Sequence, residues 1–428
     1  MGATSIIGAQ WGDEGKGKIT AMLAQNAKAV VRYHGGNNAG HTLYHNGVKF
    51  ASHLVPSGVF NPNAMLFIGR GTVLDLAVLN KEIADLKAIG VDLTGRLFIS
   101  PGCSIIMPYH KELERLIEEA KGAGKTGTTL RGIGPCHADK VSYNSIRLSD
   151  FSDRSFLLSK IELQLAIKNK MIIGLGGQPL DEMHVYSKLI NDFFRFGLDE
   201  MVKEPRSEIL RMIKNGERVL FEGAHGVLLD NEWGTYPFVT ASGVVAGNIN
   251  GGAGIPLSNI DRVIGVTKAY QTRVGNGPFP TELLDATGDK LRSDGAERGT
   301  TTGRDRRCGW LDLVLEKYSV EVAGITELAI TKLDILDDFD EIKVCVAYHL
   351  ANGFPMSGGV DELSSSELFL VRPVYTTLPG WKRSTKNARV WSDLPDQAQN
   401  YLKKIESYVG VPIKMVSVGP NDEETILV

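Results

Sequence analysis

A chain of 428 residues can bury a sizeable core, as one large domain or as several packed lobes, and 43% hydrophobic with 23% charged residues is ordinary for a soluble globular protein. A formal net charge of −3 argues against a nucleic-acid binder, which would carry a basic excess. The four scattered cysteines form no C-x-x-C pair, no run approaches the roughly 18 apolar residues of a membrane span, and no apolar segment follows a basic start, so a cytoplasmic protein with free thiols and no membrane partner is expected.

The first β-rich run, Thr4–Ile7, leads into a stretch from Gly12 that nearly fits the phosphate-cradling pattern G-x-x-x-x-G-K-[ST]. Gly12, Gly17 and Lys18 are in register, but Ile19 stands where a magnesium-binding hydroxyl belongs. A helix is expected from Lys16, so the N–H groups of Gly12, Gly15 and Gly17 would point at an anion, with Lys16 and Lys18 adding positive charge. Two carboxylates, Asp13 and Glu14, are unexpected in such a loop. Asp13 can ligate Mg²⁺ or accept a proton from a substrate, whereas Glu14 has no role that the residues suggest.

After a strand at Ala29–Arg32, the polar loop RYHGGNNAGHT offers Asn38 as a donor and His41 as a general acid. Strands are expected at Met65–Ile68 and Leu97–Ile99. Pro108 opens a helix with Leu113, Leu116, Ile117 and Ala120 at helical spacing. The turn Thr126–Pro135 supplies hydroxyls and amides. Helical patterns at Ser155–Asn169, Asp181–Phe196 and Pro205–Lys214 make about 150–215 a helix-rich sub-lobe of a single domain spanning 1–428. A strand at Arg218–Phe221 places His225 at the sheet edge where open α/β sheets bind ligands, with Thr240 beyond it.

Gly234–Pro256 and Tyr270–Gly309 read as long irregular loops of the kind that carry function. The second ends in RGTTTGRDRR, where hydroxyls and Arg298, Arg304, Arg306 and Arg307 suit a carboxylate. Further strands are expected at Arg262–Thr267, Leu328–Leu333, Lys343–Val346 and Ile413–Val418, and a helix at Asp396–Val409. The sequence TKLD, Thr331–Asp334, ends one strand, and its carboxylate would accept from guanine N1–H and the 2-amino group while the Lys stem covers the ring, favouring GTP over ATP. Ser417–Pro420 would close that pocket. Uniformly apolar strands alternating with helices predict an α/β fold: a large P-loop-like domain with a central, mostly parallel β-sheet flanked by helices, plus helical and loop subdomains.

Taken together, QWGDEGKGK, GGNNAGHT, GTTLRGIGP, FEGAHG…GTYPFVT, TRVGNGPFPTEL, GTTTGRDRRCGWLD and TKLD closely resemble the adenylosuccinate synthetase family, in family order and over essentially the whole chain. The resemblance implies a homodimeric enzyme that condenses IMP with L-aspartate, cleaving GTP to GDP and phosphate, through a 6-phosphoryl intermediate. It implies that Asp13 deprotonates purine N1 and, with the Gly40 carbonyl, ligates Mg²⁺, while His41 stabilises the phosphates and acts as the acid. The substrate nucleotide would contact Asp13, Glu14, Gly15, Lys16, Asn38, Ala39, Gly40, His41, Thr129, His225, Thr240 and Arg304. Aspartate would sit on Thr300, Thr301, Thr302, Gly303, Arg304 and Arg306. GTP would lie against Gly12, Gly15, Lys16, Gly17, Lys18, Gly40, Thr42 and Arg306, with its base end at Lys332, Leu333, Asp334, Ser417, Val418 and Gly419.

Four positions depart from the family pattern. His34 and His225 stand where it has Gln, Leu130 where it has Gly or Lys, and Tyr143 where it has an Arg that reaches across the dimer to the nucleotide phosphate. These touch the purine-nucleotide site, so a paralogue that adds aspartate to another oxopurine nucleotide, such as GMP or dGMP, is the alternative. A regulatory GTPase, a different class, is disfavoured by the loop acids, the missing Ser/Thr and the aspartate-type loop.

Overall fold

The computed structural model describes residues 2–45, 48–299 and 303–428. Nine strands form the central sheet: β1 (Ala3–Gly8), β2 (Ala29–Arg32), β3 (Met65–Ile68), β4 (Leu97–Ile99), β5 (Val219–Gly226), β6 (Ile260–Lys268), β7 (Glu327–Thr331), β8 (Ile413–Ser417) and β9 (Thr425–Leu427). Their order across the sheet is β9-β8-β7-β6-β1-β5-β2-β3-β4. Every neighbouring pair is parallel except β8 with β9. Parallel pairing needs crossovers, which cover both faces of the sheet, and β1, β2 and β7 are accordingly buried at every position.

Successive side chains point to opposite faces of a strand. Ile7, Val31 and Phe221 therefore join one apolar cluster with Ile330, Leu311 and Tyr401, and Ile6, Val30 and Leu220 join the other with Leu66, Ile264 and Leu113. The sub-lobe helices Arg154–Gly174 and Glu182–Phe194 contribute Leu157, Ile161, Val185 and Leu189 to that second cluster, so they extend the core of the sheet. Among the described residues no helix is long and apolar enough to cross a membrane.

Several sequence expectations are corrected. The strand at Lys343–Val346 lies outside the central sheet: Glu341–His349 pairs antiparallel with Arg372–Pro379, and buried Ile342 and Val344 alternate with exposed Glu341 and Lys343, the pattern of a one-sided sheet. The two long loops hold the helices Asn248–Ala253 and Ala286–Asp294 and the paired strands Gln271–Arg273 and Arg307–Gly309. The Thr126–Pro135 turn ends inside a helix that begins at Ile133. An unanticipated helix, Leu313–Ala323, is capped by the Asp312 carboxylate and buries Leu313, Leu315, Glu316, Ser319 and Val320, so it shows no clean apolar stripe.

The carboxyl ends of six parallel strands meet along one edge. There stand the loop after Gly8, the loop after Arg32, His225 near the end of β5, Lys268, Lys332 just beyond β7, and Ser417. Ligands of open α/β sheets bind at this edge.

Candidate active site

The loop between β1 and the helix α1 (Lys16–Ala24) turns through left-handed backbone at Gly12, Asp13 and Gly15, with φ of 86°, 59° and 95°. Its two acids face opposite ways. Glu14 is fully buried; one carboxylate oxygen accepts the N–H groups of Gln10 at 3.1 Å and Gly12 at 2.8 Å, and the other pairs with Lys16 at 2.5 Å. A Cβ on Gly8 or Gly226 would come within 2.4 or 2.3 Å of that carboxylate, so both glycines make room for it. Glu14 thus braces the loop from inside. Asp13 keeps 26% of its side chain exposed toward the cavity and accepts from Arg306 Nε at 2.8 Å. Ile19, in the hydroxyl position, is buried in the core.

His41 begins the strand His41–His45 and is 6% exposed. Its Nδ1 meets the Glu222 carboxylate and lies 3.2 Å from Ser57 Oγ. Glu222 also accepts the Ser57 N–H at 2.8 Å and the Ser57 hydroxyl. Burial alone would raise the pKa of Glu222, but His41, Arg32 and Ser57 outweigh it and bring it down to about 2. An anion at Nδ1 holds a proton there and leaves Nε2, buried and unpartnered, at the cavity wall. Burial pulls the His41 imidazolium below 6.5 in the ligand-free site, and the Glu222 carboxylate opposes that pull.

His225 also lines the cavity, with φ of 62° and a buried Nε2 that has no partner. Burial first, then Lys16 and Arg32, bring its pKa to about 3, so it is a neutral imidazole. His34 does not line the cavity. Its Nε2 accepts the Ala224 N–H at 3.0 Å, which leaves Nδ1 to donate to Ser242 Oγ at 3.4 Å. His34 thereby holds the end of β5 that carries His225. Tyr143, 97% exposed with φ of 67°, and Leu130 lie outside the cavity wall.

A second carboxylate organises the opposite wall. Glu297 is fully buried and accepts from Lys268 at 2.9 Å, Arg306 at 2.5 Å, Lys332 at 2.9 Å and the Tyr270 hydroxyl at 2.5 Å. Arg306 thus bridges Glu297 to Asp13. The burial penalty on Glu297 is outweighed by Lys268, Lys332 and Arg306, which hold its pKa well below the ordinary 4.5. A depressed carboxylate pKa contributes stability that is complete above the unfolded value and is lost as pH falls below it. Glu297→Gln leaves Lys268 buried without its counter-charge and is expected to destabilise the fold by about 3–5 kcal/mol at neutral pH. Urea unfolding at pH 7 and at pH 4 checks this, with the gap between wild type and variant narrowing at the lower pH.

The cavity between these walls measures about 850 Å³. It is lined by Asp13, Lys16, Asn38, Ala39, Gly40, His41, Thr129, His225 and Thr240, and Asn38 Nδ2 reaches Thr240 Oγ1 at 3.4 Å. Gly12, Gly15, Gly17, Thr42 and Arg306 line it too, as do Lys332, Asp334, Ser417 and Gly419, where the strand Ile413–Ser417 packs against the turn Leu333–Leu336. Leu333 and Val418 are buried in the core and do not line the cavity. Arg304 is at the mouth, where it donates to the Gly127 carbonyl at 3.1 Å, and Gly303 is exposed beside it. Thr300, Thr301 and Thr302 lie outside the described residues. Sequence reading missed Glu222 and Glu297. Each had a signal: an isolated acid in an apolar strand, and an acid directly before the RGTTTG run.

The sequence profile described as "Adenylosuccinate synthetase" matches residues 5–426. Adenylosuccinate synthetase of Acetivibrio thermocellus is 47% identical over 436 residues, covering 100% of both chains. Among solved structures, the fully ligated adenylosuccinate synthetase from Plasmodium falciparum superposes with a TM-score of 0.94 at 34% identity, covering 100% of each chain. A cyanophage S-2L succinoaminodeoxyadenylate synthetase bound to dGMP and dATP shares the fold, with a TM-score of 0.61 at 18% identity over 100% of this chain and 95% of that one.

Proposed function

The chain belongs to the adenylosuccinate synthetase family and ligates L-aspartate to IMP with cleavage of GTP, a step of AMP biosynthesis, and from that premise we propose how its cavity divides the work. Asp13 takes the N1 proton of the purine. Electron density then moves onto O6, which attacks the γ-phosphorus while the bond to GDP breaks. The 6-oxo group, a poor leaving group, becomes a phosphate ester that the aspartate amine can displace. Phosphoryl transfer needs mainly positioning and charge neutralisation, which Lys16, Arg306 and the His41 imidazolium supply. Charge on the arriving phosphates adds to the pull of Glu222 and favours that imidazolium.

The observation that carries this reading is the pairing, in one cavity, of a half-buried Asp13 carboxylate with a His41 whose Nε2 lacks a partner and whose Nδ1 is fixed by Glu222. Nucleotide contacts are assigned to Glu14 through its backbone and to Gly15, Lys16, Asn38, Ala39, Thr129, His225, Thr240 and Arg304. Aspartate is assigned to Thr300–Thr302, Gly303, Arg304 and Arg306, and guanine to Lys332, Asp334 and the Ser417–Gly419 turn. The Asp13 carboxylate and the Gly40 carbonyl are hard oxygens suited to Mg²⁺. Among the described residues no three His, Cys, Asp or Glu side chains could hold a metal by themselves, which fits an ion that arrives with the phosphates. When bound, Mg²⁺ supplies charge neutralisation on those phosphates.

The chain acts as one domain in a cytoplasmic homodimer. Four buried free cysteines suit a reducing compartment, and the exposed Val141 and Tyr143 are apolar surface that a second copy would cover. Phosphate release from GTP and aspartate, measured across IMP, GMP and their deoxy forms, tests the substrate. IMP is expected to give the highest kcat/KM, and a guanylate that outcompetes it would overturn the assignment.

A further inference from the structure

Lys18 stands in the register of a phosphate-loop lysine, yet its ammonium points elsewhere. Nζ donates to Ser417 Oγ at 2.7 Å and to the Gly419 carbonyl at 2.7 Å, and lies 3.4 Å from the Glu424 carbonyl. An ammonium has three N–H donors, so these three acceptors leave none for a phosphate. All three belong to the turn between β8 and β9. Within that turn the Val418 N–H reaches the Glu424 carbonyl at 2.9 Å, Ser417 Oγ reaches the Gly419 carbonyl at 3.0 Å, and the Asn421 N–H reaches the Glu424 carboxylate at 2.6 Å. Those bonds close the turn on itself; Lys18 joins it to α1.

Both loop lysines line the cavity, and they differ in their partners: Lys16 pairs with Glu14 inside the loop, whereas the Lys18 ammonium is committed to the Ser417–Glu424 segment. The segment held by Lys18 contributes Ser417, Gly419 and Pro420 to the cavity that Lys332 and Asp334 also line, and the strand ending at Ser417 packs against the turn Leu333–Leu336 that contains Asp334. The enclosure of Lys18 is reflected in its pKa. Burial lowers it from 10.5 to about 8, although Glu424, Asp422, Asp334 and Glu423 all pull the other way.

We propose that Lys18 is a positioning residue for base recognition: by fastening the Ser417–Pro420 turn to α1 it fixes the guanine end of the cavity, an inference that rests on the GTP reading of that cavity. A lysine that bound phosphate would weaken every nucleoside triphosphate alike when removed. A lysine that shapes the base end weakens guanine recognition and leaves the phosphate end intact.

The test compares Lys18→Met and Ser417→Ala with wild type, using guanosine and inorganic tripolyphosphate as competitive inhibitors against GTP. In Lys18→Met the KM for GTP is expected to rise about tenfold or more, with guanosine inhibition weakened by a similar factor. Meanwhile kcat should hold within about threefold, tripolyphosphate inhibition should be unchanged, and the preference for GTP over ITP, which lacks the 2-amino group, should narrow. Ser417→Ala should show the same pattern to a smaller degree, and the double variant less than the product of the two, because both remove one shared contact. Loss of tripolyphosphate inhibition with guanosine inhibition retained would overturn the proposal and make Lys18 a phosphate ligand. Unchanged guanosine inhibition in both variants would overturn it as well. If Lys18→Met does not fold, Ser417→Ala carries the same comparison. Failure of the underlying GTP reading would show separately, as a wild-type enzyme with no preference for GTP over ATP.

Discussion

Replacing His41 by alanine is expected to lower kcat by about 10²- to 10⁴-fold, the range of a lost general acid, with a much smaller change in KM for GTP. The structure says why the loss should be in the chemical step. His41 Nε2 is buried without a partner, so nothing in the resting protein depends on it, while Nδ1 is held by a carboxylate whose pKa lies near 2. The imidazole is oriented before substrate arrives and needs no rearrangement to present a proton to a phosphoryl oxygen. Glu222→Gln separates orientation from charge. It keeps an oxygen for the His41 Nδ1–H but removes the negative charge that favours the imidazolium. The variant should therefore retain the fold, lose part of kcat, and shift the alkaline limb of the kcat profile, where His41 loses its proton, to lower pH. Steady-state kinetics across pH on both variants, with thermal unfolding as the control for folding, measures this. Near-wild-type kcat in His41→Ala would remove His41 from the mechanism.

Asp13→Asn is expected to have an effect of the same order or larger, again about 10²-fold at least, because the amide cannot accept the N1 proton. The substitution is conservative in shape. Asn still offers an oxygen to Arg306, so the Arg306–Glu297 wall should stay in place. Since Asp13 is tied to Arg306 in the ligand-free cavity, the carboxylate and the guanidinium must part, or share a ligand, before proton abstraction. Turnover with IMP, aspartate and GTP should collapse in this variant, while guanosine inhibition should persist because the Asn amide keeps the Arg306–Glu297–Lys332 contacts in place.

Much of this site was legible in the sequence, and the illegible parts have physical causes. Strand positions such as Ala29–Arg32, Met65–Ile68 and Leu97–Ile99 were fully specified by apolar runs, because parallel strands buried on both faces contain little else. The gathering of Gly12, His225, Lys332 and Ser417 followed from their lying near or just beyond a strand's carboxyl end, and His41 joins them from the loop that follows Ala29–Arg32. The helix Leu313–Ala323 was not legible because it is buried on most sides and shows no stripe. Residues acting through other residues were harder still. Glu14 read as a misplaced acid, Glu222 as part of a motif noted for its histidine, and Glu297 not at all, because a buried carboxylate declares its partners only once sheet order brings Lys268, Arg306 and Lys332 around it. Of the departures from the family pattern, His34 and His225 resolved into a brace and a cavity residue, a difference that spacing alone could not express.

The central claim is that Asp13 and His41 together make purine O6 a nucleophile toward GTP before aspartate reacts. The most direct test is positional isotope exchange in GTP labelled with ¹⁸O at the β–γ bridge, followed with IMP present and aspartate withheld. Reversible transfer frees the β-phosphate to rotate, so the wild type should scramble the label only when IMP is added, and Asp13→Asn should not scramble it. Wild-type enzyme that completes turnover with aspartate yet never scrambles the label, or Asp13→Asn that scrambles it at the wild-type rate, would contradict the account.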